Sequence, residues 1–338
     1  MGVIRVARRR GAGAPRGPPA LDPLSLEGVA EYIAAGKARH IIIMCGAGVS
    51  VSAGIPDFRT PGSGLYFQLE RLNLPTPEAV FELGYFKSNP KPFHILAKEL
   101  FPGNFAPSPA HVFMKLLHDK GLLLRVYTQN IDSLEHEAGL PRDRVVAAHG
   151  NFDSARCIKC GEEHSMGYVK KAVLADEICH CSACGGLVKP DIVFFGENLP
   201  ERFYEMAEVD FPRADLLIVI GTSLVVHPFA DLVDCVRSRV PRLLINRERV
   251  GEHGTYQILP GIGGGQGFDF DEGVRDVLYL GDADDGCRRL AALLGWEEEL
   301  EAMVEAAGCT AAAGGGGGDA RAAAAGAGIA AGVKRSGA

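Results

Sequence analysis

IIIMCGAGVSVSAGIPDFR, from Ile41 to Arg59, is the stretch around which the chain is organised. It opens as an apolar run of strand character and breaks into Gly46-Ala47-Gly48. Small polar residues follow, and the stretch closes on Pro56-Asp57-Phe58-Arg59. A buried strand delivering a glycine turn is how α/β proteins bring backbone N–H groups against a phosphate. The turn alone is weak evidence, because any tight strand-to-helix turn needs small residues. Its third glycine is Gly54, so the spacing is not GxGxxG, and no acid lies about 20 residues on after a second strand. A hydride-transfer dehydrogenase therefore fits badly.

Outward from this stretch, strand-like and helical text alternate. Ser25 caps a helix to about Ala35, and Ser108-Pro109 opens another that Gly121 closes. Strands are expected at Leu122–Tyr127, Val145–Ala148, Ile192–Phe195, Leu216–Ile220, Leu243–Ile245 and Val277–Leu280, with helices starting near Pro200, Pro228 and Asp285. This alternation predicts an α/β fold with a doubly wound parallel sheet, whose ligands bind beyond the carboxyl ends of the strands. Six such ends stop at small or hydrogen-bonding residues: Gly46-Ala47-Gly48, Thr128-Gln129-Asn130, His149-Gly150, Gly221-Thr222-Ser223, Asn246-Arg247-Glu248 and Gly281-Asp282. That concentration points to a nucleotide site on one edge of the sheet. The Pro-, Gly- and aromatic-rich segment 60–105, with helical pieces at Pro77–Leu83 and Pro92–Leu100, reads as a small helical module and a ligand-covering loop.

The bulk numbers are those of an ordinary soluble chain. It has 338 residues, 47% hydrophobic and 23% charged, with a net charge of −7 that does not suggest a nucleic-acid partner. Its longest apolar runs, Ile41–Cys45 and Leu216–Ile220, are far short of a membrane span. Residues 1–22 are expected to be a disordered basic tail and 309–338 a disordered Ala/Gly tail. The first 21 residues carry five arginines and no acid, so a mitochondrial presequence is the alternative to a cytoplasmic or nuclear chain.

Five of the nine cysteines lie between Cys157 and Cys184. An odd count without a secretory signal favours a reducing compartment, and metal over disulfides. Cys157-x-x-Cys160 and Cys181-x-x-Cys184 give two bites of a tetrahedron, and four thiolates leave no open position. One structural zinc ion is expected in a module over 151–187, between the halves 23–150 and 188–308 of the nucleotide-binding domain. Cys179 offers a competing C-x-C with Cys181, and Cys45, Cys235 and Cys309 have no motif around them.

His149, at a strand end and followed by glycine, could accept a proton near neutral pH. Asn130 and Asp132, two apart beyond a strand, could grip a carboxamide or ribose hydroxyls, and Asp132 could also cap the short helix after it. Arg59 suits a pyrophosphate contact, or a surface ion pair with Asp57. Phe194 is expected to be plain core.

Together these residues resemble the sirtuin family of NAD-dependent protein deacylases, over about Leu24 to Val304. The motifs are GAGVSVSAGIPDFR, TQNID at Thr128–Asp132, HG at His149, the paired CxxC, VKPDIVFFGE at Val188–Glu197, GTSL at Gly221–Leu224 and INRE at Ile245–Glu248. The segments NPKPF and LHDKGLLLR are similar to the class I subgroup of animal cytosolic and mitochondrial deacetylases. The resemblance implies NAD as cosubstrate and roles at matched positions. Ala47, Gly48, Ser50, Asp57, Phe58 and Arg59 would hold the phosphates and nearby ribose, and Gln129, Asn130, Ile131 and Asp132 the nicotinamide ribose and carboxamide. Thr222, Ser223, Asn246, Arg247, Glu248 and Cys287 would form the adenosine end. Val193 and Phe195 would line an acyl-lysine tunnel, and the backbone at Gly196-Glu197 and Val225-Val226 would pair with an extended peptide.

The implied reaction removes acetyl from lysine. Nicotinamide leaves, His149 serves as general base toward a ribose hydroxyl, and O-acetyl-ADP-ribose is the co-product. Acetylated proteins would be the partners, with histones, tubulin-like proteins and metabolic enzymes as the substrate classes suggested. The loop GSGLYFQLE has Tyr66 but no Arg before Arg71, which favours acetyl over acidic acyl groups. The glycine-rich insertion Gly251–Arg275 departs from the shorter animal pattern. Two alternatives stand beside this reading: a protein mono-ADP-ribosyltransferase, and a catalytically silent acyl-lysine-binding module.

Overall fold

The computed structural model describes residues 18–55, 69–101, 105–252, 267–271 and 273–308. Its centre is a six-stranded sheet in which every neighbouring pair is parallel, in the order β3-β2-β1-β7-β8-β9. The strands are β1 Ile41–Cys45, β2 Leu123–Thr128, β3 Val145–Ala147, β7 Leu216–Ile220, β8 Arg242–Asn246 and β9 Asp276–Leu280. All five residues of β1 have no exposed surface. Ile41, Ile43 and Cys45 enter one core, with side chains from the helices Leu26–Ala34, Pro109–Asp119, Ala283–Leu293 and Glu297–Ala306. Ile42 and Met44 enter the other, with Phe203, Phe211 and Phe229 from the opposite layer. A strand covered on both faces has no polar side to alternate with, hence the unbroken apolar run. Each of its isoleucines contributes roughly 1.5–3 kcal/mol by burial.

The chain winds outward from β1 through β2 to β3, then returns to β7 on the other flank of β1. The switch point therefore lies between β1 and β7, where a parallel sheet opens a crevice beyond its strand ends. At the opposite edge, Arg242 begins β8 and is 1% exposed. It donates to both carboxylate oxygens of Asp276 at 2.6 Å, to Asp234 at 2.9 Å and to the Gly267 carbonyl at 2.7 Å. This buried ion cluster ties together β8, β9 and the end of the glycine-rich insertion, far from the strand tips.

The structure corrects the expectation of a strand at Ile192–Phe195. The observed strand, β6, is Val188–Ile192, and it belongs to a second, antiparallel sheet of order β5-β4-β6 with β4 Gly150–Cys157 and β5 Glu163–His164. A cysteine-rich segment cannot supply its own core, so its sheet borrows flanking residues on both sides of 151–187. Gly150 starts β4 at φ +68°, where a Cβ would fall 1.8 Å from the Asp191 carbonyl oxygen. Phe194 leaves β6 and packs edge-on against Phe81, Phe86 and Phe93, the core role expected of it. The expected helical piece at Pro92–Leu100 is the helix Lys91–Leu100, and that at Pro77–Leu83 is a 3-10 turn, Pro77–Phe81, leading into the helix Leu83–Ser88. The helices Met166–Leu174 and Glu297–Ala306 were not foreseen. The expectations for the first 17 residues, for residues after 308 and for 253–266 lie outside the described residues. No described helix is long and apolar enough to cross a membrane.

The strands meet at the crevice through two glycines. A Cβ on Gly221 would lie 2.8 Å from Gly48 C and Val49 N, and Gly221 has φ +59°. Gly121 has φ +71° with open space around its Cβ position. Gly121→Ala should cost only the left-handed strain, about 1–2 kcal/mol. Gly221→Ala should cost clearly more in urea unfolding, because backbone must also move. Equal losses would show that the seam is not tight.

Candidate active site and zinc centre

The carboxyl ends of β1, β2, β3 and β7 are knitted together by specific hydrogen bonds. Gly48 N–H donates to the Gly221 carbonyl at 2.8 Å across the switch point. Asn130 Nδ2 donates to the Gly46 carbonyl at 3.1 Å and to Ser50 Oγ at 3.0 Å. Ser50 Oγ in turn donates to Asp132 Oδ2 at 2.7 Å, while Asp132 Oδ1 caps Leu134 N–H at 3.0 Å. Thr222 Oγ1 donates to Gln129 Oε1 at 2.6 Å, bridging the β7 and β2 ends. Asp132 thus has the capping role that its position before the short helix suggested, through one oxygen, and a second role through the other.

The phosphate-turn expectation is narrowed by these bonds. The N–H groups of Gly46, Gly48, Val49 and Ser50 go to the carbonyls of Ile220, Gly221, Gly46 and Ala47. Among the described residues of this turn, Ala47 is the one whose N–H has no such acceptor. The glycines are there for close approach of two loops more than for a row of free donors. Asp57, Phe58 and Arg59 lie outside the described residues.

His149 follows β3 and is half-buried. Its Nδ1 lies 2.9 Å from the Gln129 carbonyl, which can only accept. Nδ1 therefore carries the hydrogen, and Nε2 is left as the basic nitrogen. Burial lowers the His149 pKa, partly opposed by the Gln129 bond, so the ring is neutral near pH 7. A neutral histidine held by the Gln129 carbonyl, with Nε2 free to accept, is equipped to take a proton.

Further along the crevice, Thr222 is buried and Ser223 exposed. Asn246 Nδ2 donates to the Glu248 carbonyl at 2.9 Å, the Arg247 guanidinium pairs with Asp282, and Glu248 is exposed. Cys287 is set apart from these. It is fully buried in the helix-layer core, and burial raises its thiol pKa. Ile131 is likewise buried, in the aromatic core beside the small sheet. Hydroxyls, amides and two carboxylates spread over the ends of β1, β2, β7 and β8 suit the two riboses of a dinucleotide, and the donor set fits NAD.

On the other side of His149, Val193 N–H donates to the His149 carbonyl at 2.8 Å. Phe195 N–H donates to the Phe81 carbonyl at 2.7 Å, while the Phe195 side chain is 51% exposed. Gly196 follows at φ +92°, and the Glu197 carboxylate accepts from Phe194 N–H at 2.7 Å. Val225, beyond β7, is 56% exposed and Val226 half-buried. Phe195 and Val225 therefore offer apolar surface on the turns that follow β6 and β7.

Cys157, Cys160, Cys181 and Cys184 converge with all four sulfurs within 4.8 Å of one another. Sulfur pairs are separated by 3.5 Å (157 and 184), 3.7 Å (160 and 181) and 3.4 Å (160 and 184). A tetrahedral zinc with about 2.3 Å arms has edges of about 3.8 Å, so the group fits one structural ion. Lys159 N–H and Ala183 N–H point at the sulfurs of Cys157 and Cys181, each at 3.4 Å, and His164 Nε2 lies 3.4 Å from Cys181. Such outer contacts are how proteins orient metal thiolates. Gly186 leaves room for the cluster, since a Cβ there would sit 2.9 Å from Cys157 Sγ. Cys179 stands outside it, buried, with its carbonyl accepting from Val188 N–H.

The family model described as Sir2 family matches residues 46–228, the span from the glycine turn to the residue after Val225-Val226 and His227. The chain belongs to the Sir2 family. It is 52% identical over 307 residues to the NAD-dependent protein deacetylase sirtuin-2 of Danio rerio, covering 90% of this chain and 81% of that protein. It is 49% identical over 276 residues to the NAD-dependent protein deacetylase sirtuin-3 of Mus musculus, covering 82% and 78%. It is 48% identical over 280 residues to the NAD-dependent protein deacetylase hst2 of Schizosaccharomyces pombe, covering 83% and 79%.

Three features of this Sir2 chain were not read from its sequence. Ser108 Oγ donates to the Val49 carbonyl at 2.6 Å and braces the glycine turn from the helix Pro109–Asp119. Glu135 is buried behind Asp132, and burial pushes its pKa up to about 7. Lys189 and Glu197 pair at 3.1 Å beside the exposed Phe195. Ser108 carries a visible signal, a helix cap before proline; the other two carry none without the fold.

The metal assignment separates Cys179 from Cys181. Cys179→Ala should retain about one zinc per chain by atomic absorption, and Cys181→Ala should lose it together with the cooperative melting of the small sheet. Retention of zinc in Cys181→Ala would overturn the ligand set.

Proposed function

We propose that this Sir2 chain is an NAD-dependent protein-lysine deacetylase yielding nicotinamide, free lysine and O-acetyl-ADP-ribose. The observation that carries the reading is His149, neutral and with Nε2 unspent, between the Gln129–Asp132 loop and the Val193–Glu197 turn. The named relatives support it, each being called an NAD-dependent protein deacetylase. When bound, NAD supplies a nicotinamide whose departure leaves a ribose carbon open to the acyl oxygen.

In this reading the chain's own residues divide the work. Ala47, Ser50 and the Gln129–Asp132 loop hold the phosphate and nicotinamide-ribose end; Thr222, Ser223, Asn246 and Glu248 hold the adenosine end. Asn130, fixed by Gly46 and Ser50, orients the reacting ribose. His149 takes a proton on Nε2, and its Nδ1–H bond to Gln129 keeps the ring in the required tautomer. Val193 and Phe195 flank the acyl-lysine, and backbone at Gly196-Glu197 and Val225-Val226 pairs with the substrate peptide. Cys287, being core, would act only through the helix it packs. The zinc, closed by four thiolates, holds the small sheet and takes no chemical part. Its substrates in this reading are acetylated proteins, with the cytoplasm or nucleus as the favoured compartment.

Nicotinamide release from NAD should require an acetylated peptide, and formation of deacetylated product should fall about 10²–10⁴-fold for His149→Ala. The acid limb should be set by His149. Because burial lowers its pKa, activity should rise with pH through a midpoint below the ordinary value of about 6.5 and be full at pH 7. A midpoint above 6.5, or peptide-independent release with an ADP-ribosylated protein seen by mass spectrometry, would count against the deacetylase reading and, in the second case, for the transferase.

A further inference from the structure

The turn that follows β6 is held from beneath by a buried cation. Lys189 lies within β6 and is 6% exposed. Its ammonium donates to the carbonyls of Ile192 at 2.5 Å and Pro190 at 3.1 Å, lies 3.1 Å from Glu197 Oε2, and sits 4.6 Å from the centroid of Phe194. All three donor positions of the ammonium are thereby used within one segment of nine residues, Lys189 to Glu197. A flexible, strongly hydrated side chain is seldom taken out of water unless such a set of partners repays its desolvation.

Glu197 completes the arrangement. The oxygen that faces Lys189 also accepts from Phe194 N–H at 2.7 Å, and Glu197 N–H donates to the Phe194 carbonyl at 2.9 Å. Phe194 to Glu197 is thus a four-residue turn closed from both ends, with Gly196 at φ +92° in the third position, as a type II turn requires. In such a turn the second residue stands at the outer corner. That residue is Phe195, the exposed apolar side chain, while Phe194 points into the aromatic core. Val193, just before the turn, is bonded to the carbonyl of His149.

We propose that Lys189 and Glu197 form a clip that fixes the turn Phe194–Glu197, making both side chains positioning residues for the protein substrate and not for the dinucleotide. The proposal rests on the deacetylase reading for the identity of the ligand, and on geometry alone for the clip. Among the described residues, the hydrogen bonds and ion pair of both side chains stay within 189–197 and none goes to the Gly46–Ser50 or Gln129–Asp132 loops. Loss of the clip should therefore loosen Val193, Phe195 and the peptide-pairing backbone at Gly196-Glu197, and leave the NAD side of the crevice as it is. A pair that served stability alone would lower melting temperature without distinguishing one substrate from the other.

The test uses the full chain with Lys189→Met, which keeps the stem and removes the cation, Glu197→Ala, the double variant, and Glu197→Gln. An acetyl-lysine peptide and NAD are varied in turn, and amide hydrogen exchange is followed by mass spectrometry. Lys189→Met and Glu197→Ala should each raise KM for the peptide about tenfold or more, the scale of one lost charge-assisted hydrogen bond. KM for NAD and kcat should stay within about twofold, a loss of uniform binding to one substrate. The double variant should be no worse than the worse single one, and Glu197→Gln should recover most of the affinity because its amide oxygen still accepts from Phe194 N–H. Exchange should quicken at residues 193–197 and not at 128–132. If the native chain turns over acetyl-peptide but the peptide KM of the variants is unmoved, or moves together with that for NAD, the clip is wrong and the deacetylase reading stands. If the native chain has no turnover, the deacetylase reading falls, and unchanged exchange at 193–197 would overturn the clip independently. Should Lys189→Met not fold, Glu197→Ala against Glu197→Gln decides the same question.

Discussion

Two backbones in contact at Gly48 and Gly221 are the constraint on which the rest depends. The strands β1 and β7 lie side by side at the point where the winding of the sheet reverses, and their following loops must diverge to leave a crevice. Here they diverge only after touching, N–H to carbonyl at 2.8 Å, at a distance that admits no side chain on either residue. That contact fixes Ala47 to Ser50 relative to Thr222, and Thr222 fixes Gln129, whose carbonyl fixes the ring of His149. A chain of short hydrogen bonds thus runs from the glycine seam to His149 Nδ1, with Asn130 and Ser50 cross-linking it. Positional precision at His149 is inherited from the sheet and not from the loops.

The second constraint is the four-sulfur cluster, and its effect reaches the same histidine from the other side. β4 begins immediately after His149, and β6 ends immediately before Val193, which bonds back to His149. The small sheet packs Phe152, Val188 and Ile192 into the aromatic core, and the four cysteines tie down the polar segment between its strands. In the proposed reading, metal far from the chemistry sets in this way the geometry of the residues assigned to the acyl-lysine. Under the same proposal the two sheets divide the work: the large one positions the dinucleotide side of the crevice, the small one the peptide side.

Much of this was legible in the chain. β1 was plain because a strand buried on both faces must be apolar throughout, and the six small or polar strand ends follow from the sheet being parallel. The choice of Cys181 and Cys184 over Cys179 followed from repeating one C-x-x-C geometry, and the sulfurs do converge so. What was not legible has physical reasons. Ile192–Phe195 looks like a strand because Ile, Val and Phe suit strands anywhere, and nothing local says that pairing stops at Ile192 and that Phe194 turns inward. The helix Met166–Leu174 has a cap at Ser165 but sits in polar text whose buried face is only Val169 and Val173. The free donors of the glycine turn were overestimated, since a sequence cannot show that a neighbouring loop already consumes them. Glu135 and Lys189 look like surface charges until the fold buries them.

A crystal structure of the chain with a non-hydrolysable NAD analogue tests the central claim most directly. The account predicts a dinucleotide crossing the Gly48–Gly221 seam, with its nicotinamide ribose within hydrogen-bonding reach of Asn130 and close to His149 Nε2, and its adenosine end beside Asn246 and Glu248. A dinucleotide bound elsewhere, or one whose nicotinamide end lies away from His149, would contradict it.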